Sequence, residues 1–554
     1  MNSDTQIKYV YWIVLAVTSI TYLSGINLPI VGVDASQYAS ISMEMSNNGS
    51  YLEVLHRGRD YLDKPPLLFW LSSLSFNIFG FENWAYRLPS LLFIYLGVYS
   101  TMRLGSLLYH KSAGYIAAII FATTEAMFVI SHDVRTDTIL VSSIIFSVWT
   151  IIEFLEKEKK KYLILGFVGI ACAMLSKGPV GLMVPVLALS THFVIKKQWR
   201  NFLRWEWVLG AFIVAIIISP MAYGLYTQFD SQPEKTTSLS SGKMVQGISA
   251  LKFYFWDQSF GRITGESEWN NNAPWYFFFG TFSWSFLPWT LIALLGIWYK
   301  LKSSFKAIEV SEFYTVGAIF LPFIGLSMSK FKLDHYIFII FPFVAILCGN
   351  FLVQLAEKRG RIGIAYIQLF VSALLLTAIF LIGNFVFDQV TYIYWAIIVA
   401  ISVLIIAIII KRKSIIATVF ITAVIAALFN IFLKDHFYYK LAHYDGQYIA
   451  AQHTLEHGIP PDKQHVVKIS PHCYDFYTRS ISRYRGKLGP LDKTSLSGTS
   501  LLLKQEHFDS LDLKQLDYKK VYKIEHHSPT MLNMKFLNAN TRKDAIQYIY
   551  LIVF

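Results

Sequence analysis

The feature that most constrains this chain is the recurrence of apolar stretches about 17–25 residues long, the length a helix needs to cross a bilayer. In lipid every backbone polar group needs an internal partner, so stretches of this length fold as a bundle of helices. Windows of about 19 residues place spans near 9–30, 88–108, 113–131, 138–155, 162–176, 179–195, 207–226, 276–298, 313–328, 335–355, 364–386, 392–410 and 414–433. Segment 66–80 is apolar but short, which suits half-insertion. Only 15% of residues are charged, against about 25% in soluble domains. Tyr9–Ile30 is too long for a signal h-region and lacks a small-residue cleavage site, so it reads as an uncleaved first span.

The net charge of +13 does not point to nucleic acid, because the bases sit just past the spans, where they set orientation and meet lipid headgroups. They recur in every second loop: Lys8, Arg103 and Lys111, Lys157 and Lys159 to Lys161, Lys196, Lys197, Arg200 and Arg204, Lys300, Lys302 and Lys306, Lys358, Arg359 and Arg361, and Lys411 to Lys413. About 13 spans with a cytoplasmic N-terminus accommodate all of them. The expected protein is multi-pass, in a bacterial inner membrane. Residues 1–433 form its membrane domain, with long outer loops at 31–87 and 227–275. Apolar spacing around Tyr38–Met45 and Leu67–Phe79 predicts amphipathic helices lying along the outer surface. Residues 434–554 change composition, with β-rich runs at His465–Ser470, Lys520–Ile524 and Gln547–Phe554, and read as a small soluble α/β domain outside. Cys172, Cys348 and Cys473 imply no disulfide and no cysteine metal cluster.

The outer loops carry the candidate chemistry. Asp34 follows the first span; alone, it is most simply a helix cap. Asp63-Lys64-Pro65-Pro66 holds an acid and a base at the membrane surface, since the prolines fix the backbone and open a helix. A lysine there suits a phosphate at headgroup depth or, more plainly, snorkels to water. Glu82 and Asp63 are a candidate carboxylate pair for a divalent cation, although two unrelated surface acids are the commoner case. His132–Asp137, Ser176–Pro179, Trp256–Arg262 and Ser329–Tyr336 complete the set. Together they place Lys64, Arg87, Lys177, Arg262, Lys330 and Lys332 on the face that topology should strip of bases. That pattern calls for an anionic ligand at the membrane surface, and a lipid-linked phosphate is the simplest one.

The order of these motifs resembles the polyprenyl-phosphate-dependent glycosyltransferases of the GT-C fold, nearest to bacterial lipid A aminoarabinose transferases and protein O-mannosyltransferases. The resemblance covers about residues 1–355, and Asp63-Lys64-Pro65 and Arg87-Leu88-Pro89-Ser90 are its most specific parts. It implies a GT-C membrane domain. Asp34 would be the catalytic acid, with Asp137 where a second active-site acid sits. Lys64 and Arg262 would hold the lipid phosphate near Tyr61 and Tyr336, and Asp63 and Glu82 fall where some members have been associated with a metal. The implied partners are a polyprenyl-phosphate-linked sugar and a lipid or protein acceptor. Two departures bear on the sugar and acceptor: Ala35 where a second acid is usual, and Gln37 where an arginine is usual. A lipid-linked sugar transporter is the alternative from another class. It would concentrate polar groups near the midplane, whereas the spans at 364–386, 392–410 and 414–433 carry no charge and Glu125 is the main intramembrane exception. An O-antigen ligase or polymerase-like enzyme would share the donor but not the Asp-Lys-Pro-Pro order.

Overall fold

The computed structural model describes residues 3–238, 244–258, 261, 271–306, 312–356, 361–387, 395, 400, 414–485, 497–511 and 517–554. The chain begins with helices α1 (Ser3–Ser24), α2 (Val33–Asn48), α3 (Leu67–Phe79), α4 (Asn83–Leu108), α5 (Lys111–Ala122), α6 (Glu125–His132), α7 (Thr136–Lys157), α8 (Lys160–Lys177), α9 (Val180–Ile195) and α10 (Glu206–Leu225). Further apolar helices follow at Phe277–Ser285, Thr290–Lys306, Tyr314–Met328, Phe341–Ala356, Arg361–Phe385 and Ile415–Phe432. Among the described residues, seven helices are long and apolar enough to cross a membrane, or up to nine if each of two bent pairs is one span. The expected count of about 13 therefore includes shorter helices, such as α9 and Tyr314–Met328, and the 392–410 segment, which lies outside the described residues apart from two positions.

Two expected spans are broken. The 113–131 stretch bends by 54° between α5 and α6, and the 276–298 stretch turns through 117° after Ser285. A break frees backbone groups that lipid cannot satisfy. Here the two breaks satisfy each other: Glu125 N–H donates to the Leu287 carbonyl at 2.9 Å, and the Trp289 indole donates to Thr123 Oγ1 at 2.9 Å. Small residues allow the surrounding helices to approach closely. A Cβ on Gly114 would stand 2.3 Å from the Met102 carbonyl of α4, so the α4–α5 contact excludes any larger residue.

The last described apolar helix continues past residue 433 to Ala442, so the expected domain boundary falls inside it. Lys434 is buried there and donates to the Thr21 carbonyl at 2.7 Å and to Ser131 Oγ at 3.1 Å, while Asn430 donates to Glu125 at 2.9 Å. These bonds tie α1, α6 and the final helix into one bundle.

The outer loops are ordered by hydrogen bonds. Strands β1 (Leu55–His56) and β2 (Arg59–Asp60) form a hairpin whose turn residues Arg57 and Gly58 have φ of 58° and 69°. Glu44 of α2 accepts from both turn N–H groups, at 2.6 and 2.7 Å. Gln228 bridges to the Val54 carbonyl at 3.1 Å and to Asp60 at 2.9 Å, stitching the second long loop to the first. That loop holds its own hairpin, β3 (Thr236–Ser238) with β4 (Met244–Gln246).

The tail is a five-stranded mixed sheet with strand order β6-β5-β7-β9-β8. Its strands are β5 (Gln464–Val467), β6 (Arg483–Arg485), β7 (Ser500–Lys504), β8 (Lys520–His526) and β9 (Gln547–Val553). Strand β5 is parallel to β6 and β7, and β9 is antiparallel between β7 and β8. The tail is anchored firmly. Phe476, on the short helix His472–Thr478, joins the main hydrophobic core, and the Ile30 N–H donates to the Tyr477 hydroxyl at 2.5 Å. Arg57 pairs with the buried Asp475. As a result α2 is packed between α3 and the tail helix, and Tyr38–Met45, expected along the surface, are all buried.

Candidate active site

The site gathers where α2, α7 and α8 begin or end. Gly32 precedes α2 at φ 84° and admits the sharp entry that sets Asp34 in the first turn. Arg135 immediately precedes α7. Its Nη1 donates to Asp34 Oδ2 at 2.7 Å and its Nε to Asp133 Oδ2 at 2.7 Å. Burial alone would lower the Arg135 pKa; the Asp133 and Asp34 carboxylates outweigh it and raise the group above its ordinary value. The Asp34 side chain remains 40% exposed while that of Arg135 is 16% exposed, so the carboxylate faces open space with the guanidinium behind it.

A second group adjoins it. Lys177 ends α8, where the helix dipole favours a cation. It pairs with Asp137 of α7, and its Nζ lies 3.9 Å from the centroid of the Tyr336 ring. His335 Nε2 lies 3.5 Å from the other Asp137 oxygen. Asp137 itself is buried behind these partners.

The third group comes from the first outer loop. Lys64 Nζ lies 2.8 Å from Asp63. Tyr61 is buried between His56 and Phe69, and its hydroxyl has no hydrogen-bond partner within the described chain. Burial, then the charges of Asp63 and Asp34, push the phenol well above its usual range, so it stays a proton donor. Tyr61 and Lys64 line one narrow recess with Tyr254 and Gln258. Gln258 caps the Asp63 carbonyl, and Tyr254 donates to the Met174 carbonyl at 3.0 Å, so the second long loop closes over the first.

Asp34, Tyr61, Lys64, Asp137, Lys177 and Tyr336 thus fall in one polar region, the mouth, with Asp137 buried behind it: Asp34 acts on Tyr61, Arg135 on Asp137 and Lys64 on His335. Other candidates stand elsewhere. Arg87 is fully buried and donates to carbonyls: His132 at 2.8 Å, Ile26 at 3.0 Å, Leu28 at 2.6 Å, Asn83 at 3.4 Å and Pro29 at 3.4 Å. Lys330 is exposed on a separate cleft of about 870 Å³, lined by Trp275, Phe279, Phe323 and Met328. Glu82 pairs with Arg479 of the tail at 3.2 Å, not with Asp63. Among the described residues no three His, Cys, Asp or Glu side chains cluster as metal ligands, and the expected Asp63–Glu82 pair is divided between two bases. Arg262 lies outside the described residues. Arg135 and His335 were not singled out from sequence; the signal for Arg135 was its place between Asp133 and Asp137 at a span boundary.

A bundle of apolar helices with a docked α/β tail is a fold that known proteins share. Residues 63–223 match the family described as dolichyl-phosphate-mannose-protein mannosyltransferase. The chain is 25% identical over 330 residues to the undecaprenyl phosphate-alpha-4-amino-4-deoxy-L-arabinose arabinosyl transferase of Enterobacter sp. (strain 638), covering 58% of this chain and 55% of that relative. The Pseudomonas aeruginosa (strain LESB58) enzyme of the same name is 24% identical over 341 residues, covering 60% and 56%. The matches thus span little more than half the length of these relatives. ArnT from Cupriavidus metallidurans, solved bound to undecaprenyl phosphate, superposes with a TM-score of 0.75 over 100% of this chain and 98% of that one, at 18% identity. At that identity the likeness shows that the chain shares the fold of this ArnT.

Proposed function

We propose that this protein is an inverting glycosyltransferase that moves a sugar from an undecaprenyl-phosphate-type carrier to an acceptor hydroxyl or phosphate on the periplasmic face. The observation that carries the reading is the half-exposed Asp34 carboxylate, held by Arg135 and near enough to act on the Tyr61 hydroxyl, which has no hydrogen-bond partner among the described residues. Asp34 takes the acceptor proton as general base. The acceptor oxygen attacks the anomeric carbon, the sugar–phosphate C–O bond breaks, and the bonding pair leaves on the lipid phosphate. Lys64, Arg262 and the Tyr61 hydroxyl stabilise that charge. Asp137 positions Lys177 and His335 and does not meet substrate. The cleft beside Lys330, aromatic within and basic at its edge, suits the isoprenoid chain. The basic-loop pattern supports a cytoplasmic N-terminus, with the mouth and tail in the periplasm.

The names of the relatives favour aminoarabinose as the sugar; the acceptors to be compared are lipid A, another envelope glycan and a protein hydroxyl. Mass spectrometry of lipid A and envelope proteins from cells with and without the chain tests this. A sugar-sized increment that disappears on deletion and in Asp34→Asn is expected. Unchanged products together with an altered sidedness of the lipid-linked sugar would establish a transporter instead.

A further inference from the structure

The tail has an apolar edge that the described chain leaves uncovered. Between β8 and β9 runs the segment Ser528–Ile546, and within four residues it exposes Met531 (72%), Leu532 (40%) and Met534 (79%). Apolar side chains scattered singly over a surface are ordinary, whereas a gathered group marks a contact surface. The segment is internally bonded. The Met531 N–H donates to the Ser528 carbonyl at 3.0 Å, and Asn533 caps the short helix Met534–Leu537 by accepting the Phe536 N–H at 2.9 Å. Thr541 Oγ1 donates to the Lys535 carbonyl at 2.8 Å. The three apolar side chains are therefore presented on a fixed turn.

The place of this turn against the bundle indicates what covers it. Phe536 is buried in one cluster with Ile379, Phe432 and Leu433, which belong to two helices long and apolar enough to cross a membrane. Arg542 donates to the Phe536 carbonyl at 3.0 Å, and its guanidinium lies 4.7 Å from the centroid of Phe387 and 5.8 Å from that of Tyr444. Each of those rings stands two residues beyond the end of such a helix, at Phe385 and Ala442. The segment thus lies at the level where spans leave the hydrocarbon and meet headgroups. Its charges suit that level. Lys535, Arg542 and Lys543 stand against Asp544, while the adjoining helix end adds Asp435 and Lys440, one of each sign. Lys535 and Lys543 are exposed and form no ion pair among the described residues. Apolar side chains flanked by bases are the composition of an interfacial anchor, in which the first enter lipid and the second reach phosphates.

We propose that Met531, Leu532 and Met534 insert into the bilayer leaflet on the side of the mouth, with Lys535 and Lys543 on lipid phosphates. The partner is the lipid surface, because a protein docked here would have to displace lipid from the ends of two spans. Unbranched methionines fit a fluid environment, since they adapt to whatever packs against them. The anchor adjoins the mouth: a Cβ on Gly32 would stand 2.9 Å from Thr530 Cγ2, so the residue preceding Met531 bounds the turn that sets Asp34 in α2. The inference goes beyond the glycosyl transfer proposed above and does not depend on it.

The test is the depth of a nitroxide on the full-length protein in nanodiscs, placed by Met534→Cys or, separately, Leu532→Cys. Both side chains are exposed, so both variants should fold, and the unsubstituted chain labelled in parallel subtracts the native cysteines. A label at Lys463→Cys is the control: Lys463 precedes β5, whose other end leads to the helix His472–Thr478 packed on α2. In phosphatidylcholine–phosphatidylglycerol discs, labels at 534 and 532 should collide with a water-soluble nickel chelate about tenfold less often than the control and should remain open to oxygen, as expected for interfacial burial. Collision with the chelate equal to the control at both positions overturns the insertion. Shielding from chelate and oxygen together, or broadening between labelled copies, replaces lipid with a protein or a second copy. Lys535→Gln/Lys543→Gln should reduce the shielding in those discs and leave it unchanged in pure phosphatidylcholine discs; equal shielding of variant and wild type in the anionic discs removes the lysines from the lipid phosphates.

Discussion

Two arginines at the same end of the bundle meet opposite environments. Arg87 sits at the seam between α1, α4 and α6, fully buried, with its donors spread over backbone carbonyls and, among the described residues, none on a carboxylate. Arg135 sits at the mouth, shared between Asp133 and a half-exposed Asp34. The first closes a structural joint, because breaks and loop ends at a membrane surface leave carbonyls that only a rich donor can satisfy. The second holds an acid whose carboxylate stays 40% exposed. A base in a loop between spans therefore marks either a joint or a candidate site, and only its partners tell the two apart.

Asp34→Asn should lower transfer by about 10²–10⁴-fold, the range for loss of a general base, with an unchanged melting temperature. Near-normal turnover of donor by that variant would leave the mouth without its base.

At the seam the effect should fall on stability instead. Arg87→Met strands several buried carbonyls, each worth about 1–3 kcal/mol, so a loss of about 3 kcal/mol or more is expected in thermal unfolding. Turnover per folded molecule should be kept. A variant that melts normally but fails to use donor would move Arg87 into the site.

Lys64→Ala should weaken use of the lipid-linked donor by roughly tenfold or more, as expected for about 1.5–3 kcal/mol of charge-assisted bonding. Lys64→Arg should restore it only partly, since the two bases differ in shape. Donor titration of both variants in nanodiscs reads this, and an unchanged donor dependence would shift the phosphate toward Lys177 or Arg262.

The smallest expected effect is at the joint between the tail and the first outer loop. Burial, then the His472 charge, lowers His56 to about 3, and burial, then Arg57, lowers His472 to about 4. Both are neutral when folded, whereas an unfolded histidine titrates near 6.5. Their contribution is complete above about pH 6.5 and is withdrawn as pH falls, by about 1 kcal/mol each at pH 5.5. Burial raises Asp475 to about 6, which acts in the opposite direction. The histidine contribution is therefore the difference between wild type and His56→Gln/His472→Gln. If the two melt in parallel from pH 7.5 to 5.5, the joint does not depend on neutral histidines.

Several features were legible in the residues alone. Hydrophobic runs placed helices at nearly every expected span, and Leu67–Phe79 was bounded to the residue. Three tail strands were found within a few residues, but Ser500–Lys504 and Arg483–Arg485 were not. A triple-leucine run has no distinguishing period, and a three-residue edge strand is held by its neighbour. The two bends were also hidden, because hydropathy averages over the Thr123-Thr124 and Phe286–Trp289 breaks that supply each other's hydrogen bonds.

The residues alone gave a bundle of apolar helices long enough to cross a membrane, with the candidate acids and bases gathered in the loops between them. Apolar length and charge placement are local properties, and lipid enforces them residue by residue. Tertiary structure alone decided how the charges are shared. Asp34 meets Arg135 across 101 positions and Lys177 meets Asp137 across 40, while Glu82 is taken by Arg479 from 397 positions away. Long-range pairing is set by how the helices pack and where the tail docks, and no local pattern encodes which of several outer acids a given base will reach.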